Sequence, residues 1–218
     1  MARVSQAHLD ARRRQILDAA SLCFARNGFH ATSMQDVLKE ADLSAGAVYR
    51  YFSGKEELIA AIVTETMAEV REAFQEATRQ TPTQLPDTLV TSVLGRTLAS
   101  RGGVLPDGGP AFPRLVLQVW SEIPRNPELA DLLRENYDGV RRAWSDVVRL
   151  YQASGTMRAD AEPDHVARTM IAAVLGFILQ QALFGPTDIE VLRDGLRALM
   201  SVTDTDTDTG TEAGADAD

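Results

Sequence analysis

SMQDVLKEADLSAGAVYRYF, residues 33–52, holds two short helix signals three residues apart, and the fold follows from it. Ser33 can cap a helix over about 34–41, with Asp36 at the third position. Ser44 can cap a second over about 45–51. The link Asp42-Leu43-Ser44 is the length of a helix-turn-helix turn. Val37, Leu38 and Ala41 pack the first helix against Leu43 and Val48 of the second unit. Ala45, Gly46, Ala47, Tyr49 and Arg50 are then left facing outward, Tyr49 with its ring buried and its hydroxyl exposed, while Phe52 packs into the core. Small residues at a helix start admit a close partner, while Tyr and Arg carry donors that reach phosphates and base edges.

Outward from this stretch, every ordered segment reads as helix. Ile16, Leu17, Ala20, Cys23 and Phe24 recur at spacings of three and four within 10–27, and Gly28 ends that run. Ser53 and Glu56 form an S-x-x-E capping box before Leu58, Ile59 and Ile62, starting a helix that reaches about residue 79, where Thr81, Pro82 and Pro86 stop it. Further helices are expected at about 87–100, 112–122, 127–153, 163–184 and 188–201. The breaks are Gly102-Gly103, Pro106 to Pro110, Pro124 to Pro127, Ser154-Gly155 and Gly185-Pro186. No segment alternates with period two, so the fold class is all-α. The end, TDTDTDTGTEAGADAD, is acidic and of low complexity, and 203–218 reads as a disordered tail.

Segment 10–60 resembles the DNA-binding part of the tetracycline-repressor (TetR) family. The resemblance rests on Ile16-Leu17, Ala19-Ala20, Phe24, Gly28-Phe29, Thr32-Ser33, Val37, Ala41, Leu43-Ser44, Gly46, Val48-Tyr49, Tyr51-Phe52, Lys55-Glu56 and Leu58. Asp42 departs from it, since the family has glycine in the turn. Asp tolerates left-handed backbone better than most residues, so the turn should survive. The resemblance implies a three-helix DNA-binding domain over 10–60, with its helix-turn-helix at 33–52. A helical regulatory and dimerisation domain would follow over 61–202. It also implies a homodimeric transcriptional regulator on a palindromic double-stranded operator, a repressor released by a small molecule. Phosphate contacts carry over to Thr32, Ser33, Tyr49, Tyr51 and Lys55, with Ser44 also at the interface. Base-edge contacts carry over to Ala45, Ala47 and Arg50, with Gly46 allowing close approach. Arg50 could equally pair with guanine or grip a phosphate.

Charge fits a binder that uses one end only. The 218-residue chain has a formal charge of −9. Yet residues 1–58 hold eight basic against seven acidic side chains, and much of the excess acid lies in the tail. That balance argues against coating nucleic acid non-specifically. Arg12, Arg13 and Arg14 are either a solvated face or backbone contacts.

No signal peptide is legible. The apolar run Thr169 to Leu179 is too short to span a bilayer, so a cytoplasmic protein without membrane contact is expected. Cys23 is the sole cysteine and sits on an apolar stripe, as core. His8, His30 and His165 lack ligand spacing, and the tail lacks the Gly and Glu of a calcium loop, so neither metal nor cofactor is expected. No phosphate-binding or nucleophile motif occurs, which argues against the rival reading of a small helical hydrolase. A second rival, a helical module for a protein partner, would show no preference among DNA sequences.

Helix 163–184 is apolar on nearly all sides and needs cover on every face. A body this small supplies it fully only with a second subunit. Helices 163–184 and 188–201 are therefore expected to form a four-helix dimer interface through Val174, Gly176, Phe177, Gln180, Phe184, Leu192 and Leu196. By analogy with the family, an effector pocket lies among the middle helices, with Phe112, Leu115, Trp120, Tyr137, Trp144 and Met170 as candidate walls. Few polar groups interrupt these stripes, which favours an apolar or aromatic effector.

Overall fold

A computed structural model describes residues 6–79 and 84–200. Among the described residues there are nine helices: α1 (Gln6–Asn27), α2 (Met34–Ala41), α3 (Ala45–Tyr49), α4 (Lys55–Ala77), α5 (Pro86–Ser100), α6 (Ala111–Glu122), α7 (Pro127–Ala153), α8 (Pro163–Phe184) and α9 (Ile189–Met200). Their only extended pairing is an isolated bridge between Val104 and Pro110. The all-helical expectation holds, with bounds close to those read from the caps and breaks. The expected tail, 203–218, lies outside the described residues, as do Thr81 and Pro82. Pro86 opens α5 in its first turn, where the missing N–H costs nothing.

Local chemistry sets the helix ends. The Ser33 hydroxyl accepts from the Asp36 amide, and the Asp36 carboxylate accepts from the Ser33 amide at 2.8 Å, a complete capping box. Ser44 accepts from the Ala47 amide. The box expected from Ser53 and Glu56 is corrected. Helix α4 starts at Lys55 with Gly54 as its cap residue, so the third helical position is Glu57. Its carboxylate accepts from both the amide and the hydroxyl of Ser53, at 2.7 and 2.9 Å. Asp42 takes the left-handed conformation expected of it, with φ 52° and ψ 50°. The second helix ends at Tyr49, short of the expected 45–51, and the Tyr51 amide closes a tighter turn onto the Val48 carbonyl at 2.9 Å.

Burial of the α1 stripe builds the first core. Ile16, Leu17, Ala20, Cys23 and Phe24 are essentially inaccessible, and they pack with Val37, Leu38, Val48, Phe52, Leu58 and Ile59. This core does not stop at the end of the N-terminal helices, or head. Ile62 and Val63 of α4, Leu115 and Val119 of α6 and Leu129 of α7 belong to the same cluster. A second cluster fills the body (α4–α9), where the Phe74 and Trp144 ring centroids lie 4.8 Å apart.

Helix α8 is 22 residues, longer than its eleven-residue apolar run, and an 18-residue window of it has a mean hydropathy of 1.6. By length and composition alone it could cross a membrane. One side of it is covered by its own subunit, through Ala167, Met170, Phe177 and Ile178. On the other side Leu183 and Phe184 are exposed, as are Val191, Leu199 and Met200 of α9.

The left-handed backbone at Asp42 admits Gly and strains a β-branched residue. Asp42→Val should lower stability by about 1–2 kcal/mol, and Asp42→Gly should leave it equal or higher. Urea unfolding of the two variants beside the parent measures both.

Candidate nucleic-acid interface and effector cavity

Helix α3 is only five residues long and presents its outer side because Val48 alone turns inward. Ala45, Gly46, Tyr49 and Arg50 are exposed, and Ala47 is half-buried. A Cβ added at Gly46 would meet nothing within 4 Å, so no packing inside the chain requires glycine there. Tyr49 was expected to bury its ring and show only its hydroxyl. Instead half of it is exposed, because it lies about 100° round the helix from Val48. Phe52 takes the buried role, as expected. The Arg50 guanidinium lies over the Tyr51 ring, 5.3 Å from its centroid. The Tyr51 hydroxyl is buried with no hydrogen-bond partner among the described residues.

Two other candidates are tied into the scaffold. Thr32 is buried, and its hydroxyl donates to the carbonyls of Gly28 and Cys23 at 2.8 and 3.1 Å. Lys55 Nζ donates to the carbonyls of Phe29 and His30 at 2.9 and 3.4 Å and sits 4.8 Å from the Phe29 ring centroid. The arginine run also divides. Arg13 pairs with Glu65 of α4 at 3.0 Å and covers Phe52, and Arg12 donates to Gln15.

The loop after α1 is gripped from the body as well. His30 Nε2 lies 2.9 Å from the buried carboxylate of Glu122, at the end of α6. Gly28, at φ +83°, passes so close to Gln118 that a Cβ would stand 3.2 Å from its Oε1. These contacts join residues far apart in sequence, and no local signal announces them.

Below this junction a cavity of about 180 Å³ opens among α4, α5, α6, α7 and α8. All six candidate effector residues, Phe112, Leu115, Trp120, Tyr137, Trp144 and Met170, line it. The sequence reading missed the walls supplied by α4 and α5, among them Met67, Val70, Phe74, Val90 and Val93. Their apolar stripes looked like ordinary core, and nothing local separates a cavity wall from a core face. The hydroxyls of Thr66 and Thr97 are spent on the carbonyls of Ile62 and Val93. Among the described residues no Asp, Glu, Lys, Arg or His lines the cavity.

Of the residues expected between subunits, Phe177 and Leu196 are buried within the single subunit. Val174 lines the cavity, and Leu192 packs against the inner clusters. Gln180 and Phe184 are exposed, and Gly176 has open space beside it.

The description "Bacterial regulatory proteins, tetR family" matches residues 16–62, and "BetI-type transcriptional repressor, C-terminal" matches residues 103–203. The chain belongs to the TetR family. Its relatives include the HTH-type transcriptional regulator UidR of Escherichia coli strain K12, 26% identical over 166 residues, which are 76% of this chain and 79% of UidR. Among solved structures, Salmonella enterica GusR superposes with a TM-score of 0.68 at 28% identity, over 92% of this chain and all of GusR. FadR from Bacillus subtilis, solved with stearoyl-CoA, gives 0.69 at 20% identity, covering 86% and 97%, and shows the shared fold. This TetR-family chain is thus a DNA-binding transcriptional regulator of the helix-turn-helix type.

The two head caps carry a pH dependence. Bonds from the Ser33 hydroxyl and then its amide hold the Asp36 carboxyl below its ordinary value. The Ser53 amide and then its hydroxyl do the same for Glu57. A carboxylate whose folded value is depressed stabilises the fold above its unfolded value and loses that contribution as pH falls through the folded one. Asp36→Asn should therefore flatten the loss of stability between about pH 5 and about pH 3, read as urea midpoints against pH.

Proposed function

We propose that the chain is a homodimeric repressor whose paired α3 helices read a palindromic operator, and that an apolar or aromatic small molecule in the cavity releases it. One observation carries the coupling: Ile62, Val63, Leu115 and Val119 both wall the cavity and complete the core of the head. A ligand that displaces these side chains must disturb the packing that orients α2 and α3. The head would be 10–60 and the regulatory part 61–202.

The cavity's walls support the ligand class. An apolar cavity of about 150 Å³ suffices for benzene, so this one admits at least an aromatic ring. Burying a polar effector here would strand its donors, at about 1–3 kcal/mol each. Stearoyl-CoA in FadR is an apolar-chain ligand of a protein with this fold.

At the DNA, Gly46 leaves room for the sugar-phosphate wall. Ser33, Ser44, Tyr49, Tyr51 and Lys55 supply phosphate donors, and Ala45, Ala47 and Arg50 face base edges. The orphaned Tyr51 hydroxyl is buried in the free subunit, so it would have to turn outward to meet a phosphate oxygen. Thr32 serves by holding the loop after α1 in shape rather than by touching DNA. Dimerisation would cover the exposed faces of α8 and α9 around Gly176, Gln180 and Phe184. It would make α8 a buried interface helix of a cytoplasmic protein rather than a membrane span. No enzymatic activity is assigned.

Selection from a random duplex pool should enrich a palindrome, with affinity falling as salt rises. Failure to enrich any sequence after the protein is unfolded and refolded free of ligand would overturn the reading. On the enriched duplex, Arg50→Ala should cost about 1–3 kcal/mol. Relaxed preference at one base pair would assign guanine, and a uniform loss would assign phosphate. Phe184→Glu with Leu199→Glu should shift the sedimenting species from dimer to monomer.

A further inference from the structure

The seam between α4 and α7 has two sides. The inner side gives Met67, Phe74, Tyr137 and Trp144 to the apolar cavity. The outer side is a polar groove of about 780 Å³, flanked by Arg71 and Gln75 of α4 and by Glu135, Asn136, Gly139 and Arg142 of α7.

In a chain with 31 acidic and 22 basic side chains, an arginine readily finds a carboxylate. Arg71 and Arg142 make no hydrogen bond or ion pair among the described residues. Helical ion pairs form at spacings of three and four. Around Arg71 those positions hold Met67, Ala68, Phe74 and Gln75, with no acid. Around Arg142 they include Asp138 and Asp146, but Asp138 is held by Arg141 and Asp146 by Arg149. Two carboxylates line the groove, Glu135 and Asp146, and with Asp146 held by Arg149 only Glu135 stands against the two guanidiniums.

Gly139 fits the same picture. It stands in the interior of a 27-residue helix, where glycine is a poor choice. A Cβ there would lie 3.3 Å from Arg71 Nη1 and 3.7 Å from its Cδ, so the arginine crosses α7 at the one place without a side chain. Asn136, buried beside it, donates its amide to the Leu132 carbonyl at 2.8 Å, and among the described residues no hydrogen bond joins its side-chain oxygen to either guanidinium.

We propose that this groove is a second small-molecule site, which holds the anionic end group of a metabolite, a carboxylate or a phosphate, between Arg71 and Arg142. Both groups match the planar fork of arginine bidentately. The occupied site would link α4, which leads to the head, with α7. The anion binding stands apart from the effector reading of the inner cavity.

Titration of the isotope-labelled full chain with inorganic phosphate, at constant pH and ionic strength, tests it by NMR. The Gly139 amide should shift saturably in the millimolar range, and Arg71→Gln should weaken binding about tenfold or more. Arg142→Gln should weaken it too. Gly139→Ala removes no charge but crowds Arg71, and it should weaken binding while the helix content holds. Arg96→Gln, on α5 outside the groove, should leave binding unchanged. Acetate run in parallel assigns the end group by whichever anion binds more tightly through Arg71. No saturation by either anion up to about 50 mM, or equal affinity in the parent and Arg71→Gln, overturns the proposal.

Discussion

Four side chains hold this molecule's two ends in one packing problem. Ile62 and Val63 on α4, and Leu115 and Val119 on α6, fill the floor of the head and the wall of the cavity together. Interiors are packed to crystal-like density, so a group moved on one side is felt on the other. The polar contacts around the loop after α1 work in the same direction. Lys55 takes it from α4, and Glu122 and Gln118 approach it from α6. A head joined by a flexible linker could tumble without regard to the body; this one cannot.

The head itself depends on its ends more than on its helices. A five-residue α3 has almost no intrinsic stability in water, and an eight-residue α2 has little more. What fixes them is the pair of caps from Ser33 and Ser44, the left-handed corner at Asp42, and the burial of Val37, Leu38, Val48 and Phe52 on α1. Because Val48 is the single inward residue of α3, the rest of that helix is free of packing duty and available to a partner.

Most of this was legible in the sequence for a physical reason. Helix periodicity, serine caps and Gly or Pro breaks are local, so Ser33 with Asp36 and the breaks at Gly102 and Gly185 marked the elements directly. Where an outcome turned on one residue of phase, the reading slipped. Glu56 and Glu57 are equally plausible box partners until the first helical residue is known, and Tyr49 reads as half-buried until Val48 is seen to take the inward position. Long-range contacts left no trace at all, and the pairing of His30 with Glu122 is the clearest case. The dimer candidates were chosen from a helix apolar on all sides. A pattern of that kind cannot say which face its own subunit claims, and Phe177 turned inward while Phe184 did not.

Cys23, the only thiol, lies in the head core with no accessible surface, and burial raises its pKa. The thiolate is the reactive form, so in the closed head this sulfur is inert twice over: shielded and protonated. Any reagent must wait until α1 parts from α2 and α3. The chain therefore carries its own clock for the breathing of the DNA-reading end, one that also feels the body, because Cys23 shares its core with Leu115 and Val119 of α6.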